Sequence, residues 1–139
     1  MADARKLARI HRVRTLQLTL TQADEARAHQ RVSTEMELSA RIGQLAQAVA
    51  PTPSSAPGFS LSAAAYYRER LQQSALAAEG RVRAAESVVN RAQEATRAAK
   101  RDQTAVEKLI ERAKAAAALK EIRAMEEMPP AGRNRHDPC

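Results

Sequence analysis

Between Ala4 and Ala50 the apolar side chains return every three or four residues. They are Leu7, Ile10, Val13, Leu16, Leu20 and Ala23, then Ala28, Val32, Met36 and Leu38, Ile42, Leu45, Val49. This is the spacing of one face of a helix, with a slip near the middle. No proline interrupts the stretch, and Asp3 is placed to cap its start. Residues 51–60 read PTPSSAPGFS, an uncharged Pro/Ser/Gly connector. Ser60 or Ser62 is placed to cap a second helix.

From 61 to 128 the chain again runs without proline. Every seventh residue from Ala64 is Ala64, Leu71, Ala78, Ala85, Ala92, Ala99, Val106 and Ala113. Three or four residues on from these stand Tyr67, Ala75, Val82, Val89, Ala95, Ile110 and Ala117. A heptad seam of this length predicts a coiled coil. Pro129-Pro130 ends it, and the polar tail 129–139 is expected to be disordered. The expected fold is all-α: two long helices, 4–50 and 61–128, in an antiparallel coiled-coil hairpin.

A trial register pairs residues whose numbers sum to about 113. It sets Leu45 against Tyr67, Ile42 against Leu71, Leu38 against Ala75, Ala28 against Ala85 and Leu7 against Val106. Ser33 then faces Gly80, two small residues suited to a close approach of the backbones. The first helix runs out opposite about residue 109, leaving 110–128 as an overhang of roughly 28 Å. Its apolar residues lie all round the helix, a pattern usual for a helix that another element covers.

Composition narrows the alternatives. Alanine supplies 31 residues, whereas Leu, Ile, Val and Phe together number 23 of 139. Such a chain cannot fill a broad globular core, and its scarce aromatics and turns exclude a multi-stranded sheet. The net charge of +7 suits an acidic partner, although 16 acids are interleaved with 23 bases. The run Arg5, Lys6, Arg9, Arg12, Arg14 admits three readings: a solvated basic face, a DNA-binding basic region, or a docking face for an acidic protein surface. A basic region would need a helix continuous with a parallel zipper, which the prolines of 51–58 break too early. The same Arg-rich start faintly resembles a mitochondrial presequence, against which stand Asp3 and the lack of serine.

No stretch is apolar enough to span a bilayer. Cys139 is the single cysteine, so no intrachain disulfide is expected, which suggests a reducing compartment or indifference to redox. His11, His29 and His136 lie far apart with no ligands at metal spacing, and no glycine-rich loop could cradle a phosphate. A two-helix rod offers no pocket for a nucleophile and its base. The expectation is a non-enzymatic protein with no cofactor, no metal and no small-molecule substrate.

The second helix carries a resemblance. Tyr67-Arg68-Glu69-Arg70-Leu71 through Ala78, and above all LIERAKAAAALKEIRAMEEM at 109–128, resemble the FliJ/YscO family. These are stalk proteins of flagellar and injectisome type III export machines. The pattern is Leu-x-Glu/Asp-Arg, an alanine-rich turn, then Glu-x-x-x-Met/Glu, and it covers most of the second helix. The first helix matches in length and coiled-coil character alone. Two features depart from the family: Pro129-Pro130 cuts the helix short of an acidic pair, and Leu71 stands where an aromatic is common.

The resemblance implies a central stalk that enters a hexameric export ATPase, promotes its assembly and couples it to the membrane export gate. It also implies binding of export chaperones, and a cytoplasmic protein associated peripherally with the export apparatus. Ring contacts would fall on Arg5, Arg9, Arg12, Leu109, Ile110, Ala113, Ala117, Leu119 and Ile122. Gate contacts would fall on Tyr67, Leu71, Ala75, Ala78 and Val82. The rival class is a basic coiled coil binding nucleic acid or an anionic membrane surface; of the two, nucleic acid is the less expected partner. A third reading is a homo-oligomeric structural coiled coil that buries the overhang against itself.

Overall fold

The computed structural model describes residues 2–49 and 61–129. They form two helices, α1 (Ala2–Ala48) and α2 (Leu61–Glu126), with no strand among the described residues. At 1.5 Å per residue their 47 and 66 residues span about 70 Å and 99 Å. The expected connector 51–60 and the tail from 130 onward lie outside the described residues.

Both helices end where the sequence signals. Asp3 sits inside the first turn of α1, not at its cap, where its charge suits the helix dipole. Ser62 likewise lies within α2. The final amides fold back on the last turns, Val49 N–H to the Leu45 carbonyl and Glu127 N–H to the Arg123 carbonyl. Prolines follow at 51 and 129, and neither can continue a helix.

The two helices pack antiparallel along their length. Arg14 meets Asp102 and Arg81 meets Glu35, pairs whose numbers sum to 116. His11 meets Glu107 and Gln103 meets Thr15, with sums of 118. The register is therefore about one helical turn away from the trial register. Leu7 is level with Ile110, Ile42 with Ala75 and Ala28 with Val89, by the spacing of those cross-pairs. Ser33 and Gly80 are both exposed, and a methyl group added at Gly80 would meet nothing within 4 Å. No close approach is built there.

Each helix turns a strict four-three stripe toward the other. On α2 it runs through Ala64, Leu71, Ala75, Ala78, Val82, Ala85, Val89, Ala92, Thr96, Ala99, Gln103, Val106 and Ile110, all buried or half-buried. This is the heptad seam read from the sequence, with Thr96 in place of Ala95 and Gln103 added, and without Tyr67, Ala113 and Ala117, which are exposed. On α1 the stripe is Leu7, His11, Arg14, Leu18, Thr21, Glu25, Ala28, Val32, Glu35, Ser39, Ile42, Ala46 and Val49.

Here the sequence reading fails in an instructive way. Ile10, Val13, Leu16, Leu20, Met36, Leu38 and Leu45 are all exposed, by 42–64%. The steps from Ile10 to Leu20 are three, three and four, so the run wanders round the helix. Only an average step of 3.5 stays against a partner helix. Six polar residues hold seam positions instead, and several keep their polar ends bonded to α2.

The core is correspondingly thin. Leu18, Ala28, Ala78, Ala85, Val89 and Val106 are its buried apolar members, and Ala78 alone has no exposed surface. Gln103 is the one buried polar residue among those described. Its amide donates to the Thr15 hydroxyl at 3.2 Å and its carbonyl accepts from Lys100 at 3.0 Å. Thr15 in turn donates to the His11 carbonyl at 2.9 Å. With both ends bonded, this polar layer fixes the axial alignment, because a slip would strand a buried amide.

Candidate functional site

Leu7 on α1 is level with Ile110 on α2, the last seam layer, and Ala2, where α1 begins, is level with residue 115 by the same spacing. Every residue from Glu111 to Pro129 is exposed. The helical part beyond α1, 116–126, projects about 16 Å. Ile110, which the trial register placed in the overhang, is half-buried in the last seam layer, and the overhang begins about six residues later than that register placed it.

The projecting segment differs from the α2 surface below it. In the paired region the face of α2 turned away from α1 carries Glu94, Arg97, Arg101, Thr104 and Lys108. Continuing that face into the overhang gives Glu111, then Ala115, Ala118, Ile122 and Met125. The face that continues the seam carries Ala113, Ala117, Lys120 and Ala124. The overhang is therefore apolar on two sides, with Leu119 at 56%, Ile122 at 50% and Met125 at 65% exposure. Lys114, Glu121 and Arg123 stand between these two sides.

The proposed ring-contact residues fall in two groups. Arg5, Arg9 and Arg12 are exposed on α1 at the same end of the rod. Leu109, Ala113, Ala117, Leu119 and Ile122 are exposed on α2, and Ile110 is half-buried in the seam. The proposed gate residues are less accessible. Ala78 is wholly buried and presents no atoms to an outside partner. Leu71, Ala75 and Val82 are half-buried in the same seam. Tyr67, 51% exposed, is the member that stands clear, beside Tyr66 at 64%. Tyr67 and Leu71 line a shallow depression with Arg70, Gln73 and Ser74. The reason for the mismatch is positional: residues spaced by seven on a coiled coil are the ones the partner helix covers.

The remaining surface is a rod with open, shallow depressions in the groove between the helices, such as the one bounded by Met36, Ser39, Glu79, Val82 and Arg83. Among the described residues no group of three or more His, Cys, Asp or Glu side chains converges as metal ligands would. His11 contacts Glu107 at 3.2 Å, and His29 lies near Glu25 and Gln93. His136 and Cys139 lie outside the described residues. No helix is long and apolar enough to cross a membrane.

The fold and its surfaces define a helical-hairpin coiled coil with one free helical end. No protein-family model, no curated protein and no solved structure matches the chain.

Proposed function

We propose that this chain is a non-catalytic stalk of the FliJ/YscO type, whose free α2 end inserts into a hexameric export ATPase. The observation that carries the reading is the overhang: a helical segment with exposed apolar residues on two sides, at the end of a stiff rod. A single partner helix would cover one side only. A ring enclosing the segment would cover both. The resemblance of residues 109–128 to the family supports the same assignment. Arg5, Arg9 and Arg12, at the same end, would face acidic surface at the mouth of the ring.

In this reading the hairpin promotes assembly of the ring and couples it to the export gate, and export chaperones bind along it. The gate contact rests on Tyr66 and Tyr67, whose exposed rings can be buried by a partner. Ala78 contributes by allowing the helices to pack. The chain would act in the cytoplasm, associated peripherally with the export apparatus.

The test is the double substitution Leu119→Glu with Ile122→Glu, assayed with the purified type III export ATPase of the same cell. Neither residue contacts α1, so helicity and melting should stay unchanged. Desolvating either charge would cost several kcal/mol, so binding and stimulation of ATP hydrolysis should fall by well over tenfold. A parent chain that neither binds nor stimulates the ATPase overturns the reading, as does a double variant that behaves like the parent.

A further inference from the structure

We infer that α1 carries, on the face turned away from α2, a docking surface for an anionic lipid bilayer. The surface is made by Ile10, Val13, Leu16 and Leu20, exposed by 46%, 53%, 61% and 64%. At ~100° per residue these four side chains spread over an arc of roughly 120°. Lys6 and Arg9 lie inside the arc and Arg12 along its border, all exposed. Leu7, Leu18 and Ala28 hold the seam-facing side, and the arc runs from Ile10, beside that seam, round to Leu16 and Leu20 on the outer side, all four exposed and no part of the hairpin core.

Two properties select the occupant. The first is charge. Residues 4–23 contain five bases and no acid, the longest acid-free basic stretch on either helix. Arg14 is drawn to Asp102 on α2, but Arg9 and Arg12 stand free on the outward side. This complements a negatively charged surface. The second is shape. A helix partner in a coiled coil calls for a narrow stripe of strict four-three spacing sustained over several heptads. Here the stripe is broad, and it ends after Leu20, where Asp24, paired with Arg27, and Arg31 take over the same face. A broad aliphatic face flanked by basic side chains is the arrangement of a helix lying in the headgroup region, apolar side down. The long Lys and Arg stems can run along the aliphatic patch while their charges reach the phosphates. Because Leu16 and Leu20 lie on the outer side of α1, the rod can lie along a flat surface on that side.

The aliphatic residues of this face have no role in the stalk reading, so the two can fail separately. The experiment is co-sedimentation of the full chain with vesicles of phosphatidylcholine alone and of phosphatidylcholine mixed with phosphatidylglycerol. The parent should bind the mixed vesicles, lose binding as salt rises, and ignore phosphatidylcholine. The variant Leu16→Gln with Leu20→Gln keeps helix propensity and should melt as the parent does. Its partition onto mixed vesicles should fall on the order of tenfold, while stimulation of the export ATPase is untouched. Absence of parent binding to the mixed vesicles overturns the proposal. So does unchanged binding by the variant, or parent binding to soluble polyglutamate as tight as to vesicles, since either would mean attraction by charge alone. A variant that no longer folds would place Leu16 and Leu20 in a core and also overturn it.

Discussion

The two helices of this hairpin are built on opposite plans. α2 keeps its small and aliphatic side chains in the seam and its charges outside, until the partner ends. α1 does the reverse over its first half: polar His11 and Arg14 hold seam positions, while Ile10, Val13, Leu16 and Leu20 face away. The difference teaches that hydrophobicity alone does not choose the packed face of a coiled coil. Phase does. A polar residue in phase is tolerated if its stem packs and its end finds a partner, as Glu35 finds Arg81 and Gln103 finds Thr15. A leucine out of phase is left outside, free for another surface. The same contrast recurs within α2, where the outer face is charged up to Glu111 and apolar from Ala115 onward.

The largest expected effect breaks the α2 half of the comparison. Ala78 has no exposed surface, so Ala78→Phe should overpack the seam and destabilise the hairpin by about 1–3 kcal/mol, lowering the thermal midpoint by several degrees. An unchanged melting curve would remove Ala78 from the seam. A stabilising change of smaller size is expected at Gly80, which sits exposed inside α2 with open space around its α-carbon. Gly80→Ala should raise stability by roughly 0.5–1 kcal/mol, read in urea unfolding. A loss of stability would restore the close-approach role that the sequence suggested.

The polar α1 seam is sharpened by a double-mutant cycle. Glu35→Gln and Arg81→Gln, singly and together, should report a coupling of about 0.2–1 kcal/mol, because both side chains keep some contact with solvent. Zero coupling in urea unfolding would mean that this pair does not help hold the register. The smallest stability effect is predicted for Leu119→Glu with Ile122→Glu, within ~0.5 kcal/mol of the parent by thermal melting. A larger loss would mean that the overhang is packed in the free chain, as in a homodimer.

The sequence by itself determined the fold class, the two helices and the α2 seam. Proline placement and an unbroken heptad in small residues are local signals, readable without knowing the partner. It also determined that one helix outlasts the other, since that follows from their lengths. What only the tertiary structure decided was the phase of α1 and the register. In α1 two apolar patterns compete, and the bulkier one wanders by about a third of a turn between Ile10 and Leu16. Cross-helix pairs such as Arg14 with Asp102 and Gln103 with Thr15 select the weaker-looking one. Those pairs join residues some ninety positions apart in the chain, and no local periodicity encodes them. The same choice turns Leu16 and Leu20 outward, and it withdraws Ala78 from any partner by placing it where the helices meet.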